Sequence, residues 1–348
     1  MFFYAESGKI YNILGGLVYG RKKKSISEVN DMKLAFYGLW EDEVTKLSAL
    51  QRQYIFESAR SREIFSPKNA ALCECCDGVS LYGNDVLGEE AMKTLASYGV
   101  KFLSVRDEET AVDYEAAKRY NIRVCRSTFP PDAVAEFTLM LALVALRKYK
   151  RAIWLQQVND YSIDTLKGEI LAQKKIGVVG EGEAAKRLTE ILQGIGCSVL
   201  VHGEDDGGNL DDFYAESEVI IYPAKLKNPE RYRVDRETLA KMREGVVLVN
   251  TASGDIFDVP SIIEGVESKK IGVLAMDVFK GERGIYHENK TDDILQNRDM
   301  AYLRQFPNVI LTQHMGFYTA YSMETLVERS VEGLVQLIRG GESEYEVK

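Results

Sequence analysis

Residues 174–183, KKIGVVGEGE, hold the residue types most directly suited to chemistry. Ile176, Val178 and Val179 form a β-branched run that breaks at Gly180, passes Gly182 and opens into AAKRLTEILQGIGC, whose apolar residues fall at helical spacing. A strand, a glycine turn and a helix start place free backbone N–H groups and the positive end of a helix dipole where a pyrophosphate can dock. The pattern is G-x-G-x-x-A, with Ala185 at the third glycine's position. It gains weight from the strand before it and the helix after it. The competing reading is a strand-to-helix turn that binds nothing. Other reactive side chains are few: three histidines, His202, His287 and His314, and five cysteines. The cysteines lack the spacing of a disulfide framework. Cys73-Glu74-Cys75-Cys76 has no second ligand cluster, so no metal is expected, and the thiols read as reduced and buried or half-buried.

The elements that position this loop follow from the alternation of sequence periods. From Met32 onward, KLAFYGL, DGVSLY, KFLSV and IRVC read as strands, separated by helical stretches such as GEEAMKTLASYG and VDYEAAKRYN. Pro130-Pro131 interrupts the pattern. Asp132 then caps one long helix reaching Trp154, whose apolar positions nearly surround it, so burial on more than one side is expected. A second block begins at Lys174 and adds strands at 198–202, 218–222, 246–250, 272–277 and 308–312. Its last helix, METLVERSVEGLVQLI, is expected to return to the first block. The fold class is α/β, with two doubly wound parallel sheets. Ligands in such sheets bind beyond the carboxyl ends of the strands, which makes the residues just past each strand the informative ones.

A chain of 348 residues should form two domains, each burying its own core. A net charge of -9 with no long basic stretch argues against a nucleic-acid partner. The longest apolar run, LMLALVAL at 139–146, falls short of the ~18 residues a membrane span needs, so no membrane association is expected, and the reduced thiols lead to the expectation of a cytoplasmic location. Residues 1–31 form an appendage with an aromatic-apolar stretch followed by Arg21-Lys22-Lys23-Lys24. Charge after the apolar run is a poor secretory signal, and no chemistry is assigned to it.

The strand-end segments FPPDAVAEFTLMLALVAL, YSIDTLKGEILAQKKIGVVGEG, ETLAKMREGVVLVNTASG, AMDVFKGE and PNVILTQHMGFYT lie in order along the chain. With them, the chain from Met32 onward resembles the D-isomer-specific 2-hydroxyacid dehydrogenases, within them the D-lactate dehydrogenase and VanH-like branch. The resemblance implies a Rossmann cofactor domain (129–315) inserted into a flavodoxin-like substrate domain (32–128 and 316–348). It implies hydride transfer between NADH and a small 2-oxo acid. It also implies a homodimer, here through the helix from Asp132 to Trp154. The family's general acid/base falls on His314, and its orienting carboxylate, five residues after Asp277, falls on Glu282. Cofactor positions fall on Gly180, Gly182, Glu183, Ala185, Gly203, Glu204, Pro223, Thr251 and Asp277, and substrate positions on Tyr82, Gly83 and Arg106. The chemistry agrees, because a 2-oxo group receiving hydride needs a proton and an imidazole backed by a carboxylate holds one near neutral pH.

The chain departs from the family at ligand-facing positions. Asn250-Thr251-Ala252-Ser253-Gly254 puts Ser253 where the family has an arginine that grips the substrate carboxylate by a two-bond fork. A hydroxyl supplies neither charge nor fork. Gly203 stands where the family's ribose-binding Asp would, with Glu204 or Asp205 as stand-ins. Glu181 and Glu183 add negative charge at the glycine loop, so weak NAD binding is expected. Asp107, Glu108 and Glu109 crowd the loop after the third strand, where an anion should sit. Two readings follow. One is a working NAD-dependent dehydrogenase with Arg106 or Lys280 as a substitute cation. The other is a catalytically silent paralogue acting as a binding or regulatory dimer.

Overall fold

The computed structural model describes residues 32–107, 110–203 and 208–347. The readings of the appendage 1–31, of Glu108 and Glu109, and of Glu204 and Asp205 lie outside the described residues. The chain divides into two compact units. The first holds residues 32–128 and 326–347, the second residues 129–325. The boundary between these units at the C-terminal side falls at 325/326.

The first unit runs β1 (Met32–Phe36), α1 (Glu43–Tyr54), β2 (Phe56–Arg60), β3 (Gly78–Leu81), β4 (Val86–Leu87) and α2 (Glu89–Ser97). It continues through β5 (Phe102–Val105), β6 (Ala111–Val112), α3 (Tyr114–Arg119) and β7 (Arg123–Arg126). Its main sheet has the order β2-β1-β3-β5-β7 with every pairing parallel, the flavodoxin-like arrangement. β2 was not foreseen. FESAR holds one large apolar residue, which suffices because an edge strand is covered on fewer sides. β4 and β6 pair as a small separate ribbon.

The second unit begins with α4 (Pro131–Leu146) and α5 (Tyr149–Gln157), then β8 (Lys175–Val179), α6 (Glu183–Gly194), β9 (Ser198–His202), α7 (Leu210–Glu216) and β10 (Val219–Tyr222). It continues through α8 (Arg236–Lys241), β11 (Val246–Asn250), α9 (Val259–Glu267), β12 (Ile271–Met276), α10 (Arg298–Leu303) and β13 (Val309–Leu311). The last helix is α11 (Ala320–Ile338). Six parallel strands stand in the order β13-β12-β11-β10-β8-β9. The order reverses between β8 and β10, which opens a crevice at their carboxyl ends. β10 and β11 are buried at every position, as expected of strands covered on both faces. α11 lays Val327, Val331, Leu334 and Val335 against Leu34, Phe36 and Leu47, so the last helix does complete the first core.

The long helix expected from Asp132 to Trp154 is two helices. Lys148 takes a left-handed backbone (φ 51°), which an α-helix cannot continue. The N-cap is Pro130, not Asp132; Asp132 sits in the first turn and pairs with Arg187. Ala135, Thr138, Leu141, Ala142 and Ala145 make one buried face on α4, while Met140 and Leu143 are exposed.

One charge in the first unit is fully enclosed. Arg106, just past β5, has no exposed surface. Its guanidinium pairs with the equally buried Glu43 at the start of α1, and Nη2 donates to the Tyr37 carbonyl at 2.7 Å. Glu43 also accepts the Trp40 N–H at 2.7 Å. Removing one member leaves an uncompensated buried charge. Arg106→Leu should lower unfolding free energy by about 3–5 kcal/mol in urea titration; a loss within experimental error would contradict this account.

Candidate active site

The glycine loop closes the end of the β8–β9 ladder. Gly180 donates to the His202 carbonyl at 2.9 Å and then turns at φ 97°. A side chain there would be strained and would press on Leu226, 2.9 Å from its Cβ. Gly182 is the N-cap of α6, and no side chain caps the first turn. Its opening N–H groups are thereby left to a ligand. Ala185 is buried in the core with Val178 and Leu188, where a small residue lets helix approach strand. Pro223 follows β10 buried, and Ala224 flanks Gly182. Glu183 is exposed and pairs with Lys186 one turn along α6 at 3.3 Å. Its carboxylate therefore has a cation beside it on the helix surface.

At the far ends of β12 and β13 the chain builds a second group. Asp277 is 2 % exposed. Its Oδ1 accepts from Thr312 Oγ1 at 2.5 Å and Met315 N–H at 3.0 Å, and its Oδ2 accepts from Gly316 N–H at 2.8 Å. Its carbonyl takes the His314 N–H at 2.8 Å. The loop 312–316 is thus wrapped round one carboxylate, and His314 is held there with φ 51°. A left-handed non-glycine residue costs of order 1 kcal/mol, offset by these bonds. His314 Nδ1 meets Glu282 Oε1 at 2.6 Å, and Glu282 Oε2 accepts the Phe279 N–H at 2.5 Å. The carboxylate therefore fixes the ring's orientation.

Two neighbours of this pair escaped the sequence reading. His287 donates from Nε2 to the His314 carbonyl at 3.0 Å. Its ring also lies 6.1 Å from that of Phe317, which in turn packs at 4.5 Å on Phe129 and 6.0 Å from His314. Among the described residues the Tyr286 hydroxyl is buried without a hydrogen-bond partner. Burial first, then the carboxylates of Glu282 and Asp277, push its phenol well above the usual range. Spacing alone carried no signal for either residue, because a loop between 281 and 297 brings them back.

Ser253 lies on a loop shaped by Asn250, whose Oδ1 accepts the Ala252 N–H at 2.9 Å while its Nδ2 donates to the Ser253 carbonyl at 2.8 Å. The Ser253 hydroxyl accepts the Asp255 N–H at 3.3 Å. Gly254 packs against the backbone leading to Glu282, since a Cβ there would lie 2.9 Å from the Phe279 carbonyl oxygen. Thr251 bonds Thr138 on α4, hydroxyl to hydroxyl, at 2.8 Å. Lys280, one proposed substitute cation, lies 3.9 Å from Asp255 at the surface.

Within the first unit, Arg106 cannot serve as a substrate cation in this arrangement, because Glu43 neutralises it in a closed interior. Tyr82 lies against that guanidinium, 5.8 Å from ring centroid to Cζ. Gly83, at φ 81°, donates its N–H to Asp107 Oδ2 at 3.1 Å. Asp107 also accepts from the Thr110 N–H at 2.6 Å. Of the cysteines, Cys75 is exposed and the other four are buried; all are free thiols.

The family model for the D-isomer specific 2-hydroxyacid dehydrogenase NAD binding domain matches residues 139–316. An aromatic 2-oxoacid reductase of Clostridium sporogenes is 31% identical over 316 residues, covering 87% of this chain and 95% of the relative. The chain belongs to the D-isomer-specific 2-hydroxyacid dehydrogenases. The structure of a D-2-hydroxyisocaproate dehydrogenase matches with a TM-score of 0.82 at 24% identity, over 91% of this chain and 99% of that one. Apo D-lactate dehydrogenase from Escherichia coli gives 0.78 at 26% identity, over 91% and 100%.

The enzyme's second unit accordingly contains an NAD-binding domain, and its glycine loop fits a pyrophosphate: Gly180 and Gly182 leave room, and the start of α6 offers uncapped N–H groups. Glu282→Gln should weaken the carboxylate's hold on His314. Turnover is expected to fall roughly 10²-fold, with the NADH dissociation constant unchanged; steady-state kinetics beside fluorescence titration checks both.

Proposed function

We propose that this enzyme reduces a small 2-oxo acid with NADH, and that His314 is the proton donor. The observation that carries the reading is the 2.6 Å contact of His314 with Glu282, on a loop pinned by buried Asp277. Bound NADH supplies the hydride to the 2-oxo carbon. His314 Nε2 delivers a proton to the forming alkoxide, and Glu282 holds the imidazole and steadies its positive charge. Residues 32–128 and 326–347 serve as the substrate domain. The substrate carboxylate meets Ser253 in place of a guanidinium, at a cost on the order of 3 kcal/mol in the transition state.

A second reading, a silent paralogue, is favoured by three internal commitments: Ser253 in the arginine position, Asp107 on the Gly83 N–H and Glu43 on Arg106. NADH oxidation with pyruvate, 4-methyl-2-oxopentanoate and phenylpyruvate separates the two. Turnover that drops at least about 10²-fold in His314→Ala supports the reductase. Ser253→Arg is expected to raise kcat/KM on the order of 10²-fold. No turnover in the unmodified protein or in Ser253→Arg would leave the silent reading standing.

The same proposal includes a homodimer. Met140, Leu143, Ile153 and Trp154 expose apolar surface along α4 and α5, with Trp154 60% exposed. A patch of this kind marks an association site. Sedimentation velocity at micromolar concentration should show a dimer, and Trp154→Asp should shift it towards monomer.

A further inference from the structure

The apparent gap at Gly203 is filled from across the ladder. A Cβ built on Gly203 would overlap the Glu181 carboxylate and come 2.8 Å from its Cγ. Val179 pairs with His202, and Gly180 donates to the His202 carbonyl, so the residue after Gly180 arrives beside Gly203. The turn at Gly180 then lays the Glu181 side chain over the end of β9. Gly203 itself is immobilised, because the fully buried Tyr232 hydroxyl donates to its carbonyl at 2.8 Å. Among the described residues the Glu181 carboxylate has no hydrogen-bond or ion-pair partner. It stands on the glycine loop beside an uncapped helix N-terminus.

We infer that Glu181 is the acidic residue that accepts the adenosine ribose hydroxyls, taking from the glycine loop the role that other dinucleotide folds give to the end of the second strand. The end of the second strand is where an acid normally receives the ribose 2′-hydroxyl. Here the strand contributes only space, and a one-residue reach from the adjacent loop contributes the carboxylate. Glycine at 203 and glutamate at 181 are thus one feature, since any side chain at 203 displaces Glu181. The same carboxylate repels a 2′-phosphate, so the site selects NADH over NADPH.

The inference rests on the NADH reading above, and direct binding separates their failures. Dissociation constants for NADH and NADPH would be measured by fluorescence titration of the full chain, without turnover. Glu181→Gln and Glu181→Ala should weaken NADH at least about tenfold and narrow its preference over NADPH by a similar factor. Gly203→Asp alone should weaken NADH by crowding two carboxylates together. Glu181→Ala combined with Gly203→Asp should restore most of the affinity, because the acid then returns to the strand. Glu181 is exposed, so its variants should keep the parent's thermal midpoint. If the unmodified protein binds NADH and the Glu181 variants bind it equally well, the inference is wrong while the NADH reading survives. A tenfold loss in Glu204→Gln or Asp205→Asn, with none in Glu181→Gln, overturns it equally. Absence of NADH binding by the unmodified protein overturns both.

Discussion

The loop that carries His314 depends on one buried carboxylate. Asp277 caps the end of β12 and receives a hydroxyl and two backbone N–H groups from the loop that follows β13. A carboxylate taken from water must find such donors or protonate. Here the donors are the loop itself, so burying the charge and shaping the loop are one event. His314 inherits its strained backbone and its direction from that arrangement, and Glu282, five residues beyond Asp277, meets the imidazole. Parallel neighbours in a sheet end at the same level, which is why β12 and β13 can deliver both partners to one place.

Around this anchor the departures from the family share a theme. A charge or its absence at a ligand-facing position is answered by another side chain of the same unit. Gly203 is answered by Glu181 and Glu183 by Lys186, and two positions the chain shares with the family are engaged in the same way, Arg106 by Glu43 and the Gly83 N–H by Asp107. Ser253 differs, because the loop 250–256 holds no cation, and its hydroxyl turns to its own backbone. In the proposed reading the substrate anchor is therefore the part of the site most altered in chemistry, while His314 and Glu282 keep an imidazole–carboxylate contact.

Much of this was legible in the sequence. Period alternation determined two parallel sheets, because a strand buried on both faces must be apolar throughout and a covering helix must be amphipathic. The glycine spacing located the crevice, since only glycine takes the turn at Gly180 without strain. His314 and Glu282 were named through the family resemblance, and both lie beyond strands of the second sheet.

What tertiary structure decided were directions of side chains and the edges of elements. Spacing placed Glu181 and Gly203 twenty-two residues apart as two separate defects; strand pairing puts one on top of the other. Arg106 read as an available cation, but α1 returns a glutamate into the same interior. The helix from Asp132 to Trp154 read as continuous, because nothing in an apolar run announces the left-handed residue at Lys148. Sequence by itself determined which residues reach the ends of the strands, because burial and periodicity are local. Only the folded chain decided whom each charge faces, because electrostatic partners are set by distance in space and those distances depend on every element between them.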